Sequence, residues 1–151
     1  MRIEVDDLSR TEVHALLEEH LADMYATSPP ESVHALDLTK LMDPTITMWT
    51  LWDGDILLGC VALKEHSPLE GEVKSMRTAS AARGQGVATR LLDHLLDEAR
   101  RRGYERVSLE TGPQDFFAPA LRLYLRHGFV HCGPFAGYSL DEHSVYLTLA
   151  L

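Results

Sequence analysis

Cysteine is scarce in this chain: Cys60 and Cys132 are the only two among 151 residues. Two thiols outside any CxxC pair cannot build a disulfide framework. Cys60 lies inside the apolar run ILLGCVAL and reads as a small core residue, not as a nucleophile. No apolar run approaches the roughly 20 residues needed to cross a bilayer, so no membrane partner is expected. The segment MRIEVDDLSR is alternating and acidic, unlike a signal or transit peptide, and the expected location is the cytoplasm. Basic residues are in deficit as well. Fourteen Lys and Arg stand against 23 Asp and Glu, for a net charge of −9. That deficit argues against nonspecific nucleic-acid binding, which needs surplus cations for the phosphates. Repeats, low-complexity tracts and long linkers are missing too, and the length fits one domain, residues 1–151, around a single core. Eight histidines invite a metal reading. However, His14 and His20 fall on different faces of one helix, and His127, His131 and Cys132 have no fourth ligand nearby, so no metal is expected.

What is present is unevenly placed. Residues 1–71 carry fourteen acids and four bases, whereas residues 72–151 carry nine acids and ten bases. Between Glu72 and Arg90 lie Lys74, Arg77, Arg83 and Arg90 against the single acid Glu72. Cations gathered beside a glycine-rich turn in an acidic protein point to a bound small anion.

Periodicity supplies the elements. A short strand is expected over Arg2 to Val5, then a helix capped by Ser9 with Glu12 closing a capping box and Val13, Leu16, Leu17 and Leu21 on one face. Ser28-Pro29-Pro30 stops it, and a second short helix is expected from Ser32 to Leu41. TITMWTLW and ILLGCVALKE, separated by Asp53-Gly54, form a hairpin, and a third strand runs from Gly71 to Thr78. After the basic turn, Val87, Leu91, Leu92, Leu95, Leu96 and Ala99 mark a helix, with Arg100, Arg101 and Arg102 complementing its dipole and Gly103 ending it. A strand at Arg106 to Glu110, a helix at Phe116 to His127, and strands at Phe129 to Cys132 and Ser144 to Leu149 complete the chain. The order βααβββαβαββ gives an α/β fold, a mixed central sheet flanked by helices.

A strand that ends in a Gly-rich turn and continues into a helix is an anion site, because the first helical N–H groups lack partners and the dipole is positive there. On physics alone the turn serves a nucleotide, a dinucleotide or coenzyme A, and it has neither GxGxxG nor the GK[ST] of a P-loop. Arg83-Gly84-Gln85-Gly86-Val87-Ala88 resembles the R/Q-x-x-G-x-G/A signature of the GCN5-related N-acetyltransferases (GNATs). The likeness extends over essentially the whole chain, through SLETG, ALRLYLRHGF and GPFAGYSLDEHSVYLTL, which look like a small bacterial subgroup.

The resemblance implies an N-acetyltransferase with acetyl-CoA as co-substrate, its pyrophosphate on the amides from Arg83 to Thr89, namely Gly84, Gln85, Gly86, Val87 and Ala88 between them. It implies that Met76, Arg77 and Thr78 offer backbone groups to the pantetheine arm beside splayed strands. Tyr124 falls where many members place a tyrosine that meets the coenzyme A sulfur, and the alternative for it is core packing with Leu121 and Leu125. Glu72, on the strand before the turn, is a candidate general base or an exposed partner of Lys74. Glu110, at its strand end, is a second candidate. Phe135 and Tyr138 are expected to wall the acceptor site. The acceptor is expected to be a primary amine of a small molecule or peptide, and the acidic first half leans towards a cationic one. A homodimer is compatible with this reading. The competing readings are a catalytically silent acyl-CoA-binding sensor or interaction module, and acylation of a hydroxyl or thiol.

Overall fold

A computed structural model describes residues 1–151. Its strands are β1 (Arg2–Val5), β2 (Ile46–Asp53), β3 (Ile56–Ser67), β4 (Glu70–Thr78), β5 (Arg106–Thr111), β6 (Val130–Cys132) and β7 (Val145–Ala150). Its helices are α1 (Thr11–Thr27), α2 (Leu38–Leu41), α3 (Val87–Arg101) and α4 (Ala118–Arg126), so the expected order of elements holds. The strands form one sheet in the order β1-β2-β3-β4-β5-β7-β6. β4 and β5 are parallel, and every other neighbouring pair is antiparallel.

Strand alternation divides the interior into two cores. On β2 and β3, Trp49, Leu51, Val61 and Leu63 face α3, and its buried stripe of Val87, Leu91, Leu92, Leu95, Leu96 and Ala99 covers them. On the opposite face, Met48, Trp52, Cys60 and Ala62 pack against Val13, Leu16 and Leu17 of α1 and against Leu41. Cys60 is fully buried and its thiol is pushed up to about 12 by that burial, which confirms it as an unreactive core group.

Three local expectations are corrected. α1 starts at Thr11 with Arg10 as N-cap and no side-chain cap. Ser9 donates instead to Asp7 Oδ1 at 2.6 Å, because Asp6 and Asp7 fold the preceding turn by accepting from Leu8 N and Ser9 N. The helix expected over Ser32 to Leu41 is a 3-10 turn at Pro30–Ser32 followed by the single turn of α2. Asp37 starts that turn by accepting from Lys40 N at 2.9 Å, which makes it an element separate from the 3-10 turn. The helix expected from Phe116 opens as a 3-10 turn at Asp115–Phe117, and α4 proper begins at Ala118 with Pro119 in its first turn.

Gly59 on β3 seats the start of α3. A Cβ there would lie 2.7 Å from Arg77 O, 2.8 Å from Val87 Cγ1 and 3.2 Å from Leu91 Cδ1. Gly59→Ala should therefore push α3 off the sheet and cost about 1–3 kcal/mol, the usual penalty of overpacking. Denaturant unfolding of the variant checks this, and unchanged stability would show that α3 does not rest there.

Candidate active site

β4 and β5 stay together for only three pairs, Glu70 with Arg106, Gly71 with Val107 and Glu72 with Ser108. β4 continues to Thr78 along β3, and β5 continues to Thr111 along β7, so beyond Glu72 the two parallel strands part inside the sheet. A bulge assists the parting. Cys60 faces Arg77 and Ala62 faces Lys74, which leaves Ser75 and Met76 together opposite Val61, with Ser75 at φ 51°. The extra residue also resets the alternation. Glu72 and Lys74 project on the α1 side, Val73 and Met76 pack towards α3, and Arg77 returns to the α1 side beside Cys60. The cleft that opens is a cavity of about 730 Å³ lined by β4, β5, α1, α4, the start of α3 and the loops that join these elements.

At one end of the cleft lies the basic turn. Gly84 at φ 78° and Gly86 at φ 77° adopt the left-handed conformation, and Gly86 is the N-cap of α3. Arg83, Gly84, Gly86, Val87, Ala88 and Thr89 all line the cavity. Gln85 does not; its side chain reaches back to Ala81 O at 3.4 Å. Met76, Arg77 and Thr78 line the wall above the turn. The Arg77 side chain is spoken for, since it bridges Glu19 at 2.5 Å and Asp23 at 2.7 Å on α1.

At the vertex of the parting strands sits Glu72, 2% exposed. His66 Nε2 lies 2.8 Å from its Oε1, and against a carboxylate that nitrogen carries the proton. Tyr138 Oη donates to Oε2 at 2.7 Å, Lys74 Nζ reaches Oε2 at 3.3 Å, and Lys74 also donates to Tyr138 Oη at 2.8 Å. A buried carboxylate demands such partners. Glu72 is thus not the exposed member of a strand-face pair, although Lys74 is indeed one of its partners. Tyr138 lines the cavity, whereas Phe135 stands behind it, with ring centroids 5.1 Å apart.

Glu110 and Tyr124 enter from β5 and α4. Burial, chiefly, together with the neighbouring Glu72 and Asp141 carboxylates, raises the Glu110 carboxyl to about 8 against an opposing pull from Lys74. Tyr124 is 5% exposed, packs edge-on against Phe129 at 5.7 Å, and lines the cavity. Burial alone pushes its phenol upward, so the O–H stays intact at any working pH. The structure therefore gives Tyr124 both of the settings weighed for it, core packing and access to the cleft. His66, His34, Ser32 and Asp141 went unnoticed in the sequence, because only folding brings them to Glu72 and Tyr138.

A strand-splayed sheet with an amide-lined turn at one end and ionisable groups at the other is the architecture of an acyltransferase. The chain belongs to the acetyltransferase (GNAT) family, whose sequence profile matches residues 13–129. It is 51% identical to the uncharacterised N-acetyltransferase YsnE of Bacillus subtilis over the full length of both chains. It is 49% identical to the uncharacterised N-acetyltransferase YedL of Escherichia coli, over 99% of this chain and 94% of that one. A solved Klebsiella pneumoniae structure assigned as an acyl-CoA N-acyltransferase superposes with a TM-score of 0.83 at 27% identity, over 99% of this chain and 97% of that one. The protein is accordingly an acetyltransferase, and acetyl-CoA is its co-substrate. No helix is long and apolar enough to cross a membrane.

The raised Glu110 carboxyl fixes a pH dependence of stability. Below pH 4.5 it is protonated in both the folded and the unfolded chain and costs nothing. As pH rises from 4.5 to about 8, the unfolded chain ionises while the folded one keeps its proton, so stability is lost over that window. Glu110→Gln should escape this loss and exceed wild type by about 2–4 kcal/mol at pH 8–9, with little difference at pH 4. Paired urea melts across that range measure it, and a pH-independent difference would contradict the burial of an ionisable group.

Proposed function

We propose that the cleft transfers the acetyl group of acetyl-CoA to a primary amine, with Glu110 as proton acceptor, Tyr124 as donor to the leaving sulfur, and Glu72 as the group that holds Tyr138 and Lys74 in place. The parting of β4 and β5 carries the reading. It leaves the β4 edge from Val73 to Thr78 without a strand partner, and the turn amides lie at its end. An extended arm bearing amides can pair with that edge as a strand would, and its pyrophosphate then falls on the N-terminus of α3.

The chemistry follows from the protonation states. An amine attacks the thioester carbonyl carbon only with its lone pair free, so a proton must leave the nitrogen. Once ionised, as pH rises towards 8, Glu110 takes that proton far more readily than a carboxylate of ordinary acidity. Both Glu72 oxygens already accept, Oε1 from His66 and Oε2 from Lys74 and Tyr138, which suits an anchor better than a base. As the carbon–sulfur bond breaks, the electron pair goes to sulfur. A Tyr124 hydroxyl that never ionises keeps a donor ready for that charge. The low polarity around Tyr124 strengthens such a bond.

Tyr124→Phe removes one oxygen and keeps the ring, so stability and acetyl-CoA affinity should persist while kcat falls about 10²–10⁴-fold. Thiol release measures the rate. Acetyl-CoA at 100 times its Kd should still stabilise the variant by about 2.7 kcal/mol, read by thermal shift. A wild-type rate in this variant would return Tyr124 to core packing alone.

A further inference from the structure

Two loops meet over the end of the cleft that holds Tyr138. One spans residues 28–37 after α1, and the other spans residues 133–144 between β6 and β7. Ser32 Oγ donates to Asp141 Oδ2 at 2.6 Å, joining residues 109 apart, and Ser32 is 4% exposed. Asp141 Oδ1 also accepts from His143 N at 2.8 Å, so the carboxylate is held from both sides. Two residues on, the His34 ring stands edge-on to Tyr138 at 4.7 Å, and Tyr138 is tied to the sheet through Glu72. Tyr146 supports the far loop by donating to Ser139 O at 2.8 Å. Together these contacts form a strap across the cleft, where an open trough would leave the two loops apart.

The carboxylates around this end of the cleft are engaged by protein donors. Glu72 is saturated by three donors, Glu19 and Asp23 are bound by Arg77, and Asp141 is bound by Ser32 and His143 N. Each of these carboxylates already accepts from a protein donor, and Glu110 is used by the reaction itself, so a second ammonium on the acceptor has to compete with a donor already in place. Burial and Lys74 lower the His34 imidazole, so it adds no charge at neutral pH. Met24 and Val33 supply apolar wall between these groups.

Resting on the acetyl-transfer reading above, we propose that the acceptor is a small primary monoamine with an apolar or aromatic body, and that the Ser32–Asp141 strap excludes peptide amines. A peptide cannot pass a bridged roof with its N-terminus at the thioester. A diamine would have to bury its second ammonium against carboxylates whose oxygens already hold protein donors, which is costly.

The test measures thiol release from acetyl-CoA with 2-phenylethylamine, 1,4-diaminobutane and tetra-alanine. The wild type should favour 2-phenylethylamine in kcat/KM by about tenfold over the diamine and about 10²-fold over the peptide. Ser32→Ala, and Asp141→Ala as a second variant, should raise kcat/KM for tetra-alanine about tenfold, the worth of one hydrogen bond to a charged group. The thermal shift given by acetyl-CoA should stay unchanged in both. Turnover of peptide or diamine at the monoamine rate, or of peptide alone, overturns the proposal and leaves acetyl transfer intact. A selectivity that neither variant alters removes the strap from it. Absence of thiol release with all three acceptors overturns both readings.

Discussion

β4 and β5 grip each other through three residue pairs and then part, and the remaining features of the site are consequences of that geometry. A row of unpaired backbone groups inside a sheet is costly unless something completes it. Each strand is held in the sheet by its outer side, β4 by β3 and β5 by β7, while its inner groups face the open cavity. The bulge at Ser75 turns β4 away at the point where the separation must grow. It also moves Arg77 to the α1 side, where Glu19 and Asp23 lock the strand to the helix. The cleft is thus propped open by packing and ion pairs already present in the protein, so a ligand meets a preformed slot.

Electrostatics within the slot divide by burial. Glu72 and Glu110 are both carboxylates at the same vertex, yet their settings differ. Glu72 has Lys74, Tyr138 and His66 as donors, whereas Glu110 is buried, and that burial with the Glu72 and Asp141 carboxylates outweighs the pull of Lys74. Two like groups with environments that push them apart can take separate tasks, one structural and one in proton transfer.

Local chemistry was legible in the sequence, and distant chemistry was not. The turn from Arg83 to Ala88 and the amphipathic stripe of α3 were readable because their signals lie within a few residues of one another. The hairpin of β2 and β3 was readable for the same reason. The capping box at Ser9 misled because Asp6 and Asp7 compete for the same backbone groups. The helix expected over Ser32 to Leu41 is replaced by two separate turns because Asp37 caps a new turn at Leu38, and the Ser32 side chain meets Asp141, a partner 109 residues away. The first half is acidic, but Glu19, Asp23, Asp37 and Asp43 serve Arg77 or their own turns. The Glu72 network draws on β3, β4 and the loop before β7, so no spacing along the chain reveals it.

The most direct test of the central claim is amide hydrogen exchange with and without acetyl-CoA. If the parted edge of β4 receives the co-substrate, exchange should slow together in Val73–Thr78 and in Gly84–Ala88, while β1 and β2 remain unchanged. Protection confined to other segments, with the β4 edge exchanging at its free rate, would contradict the account.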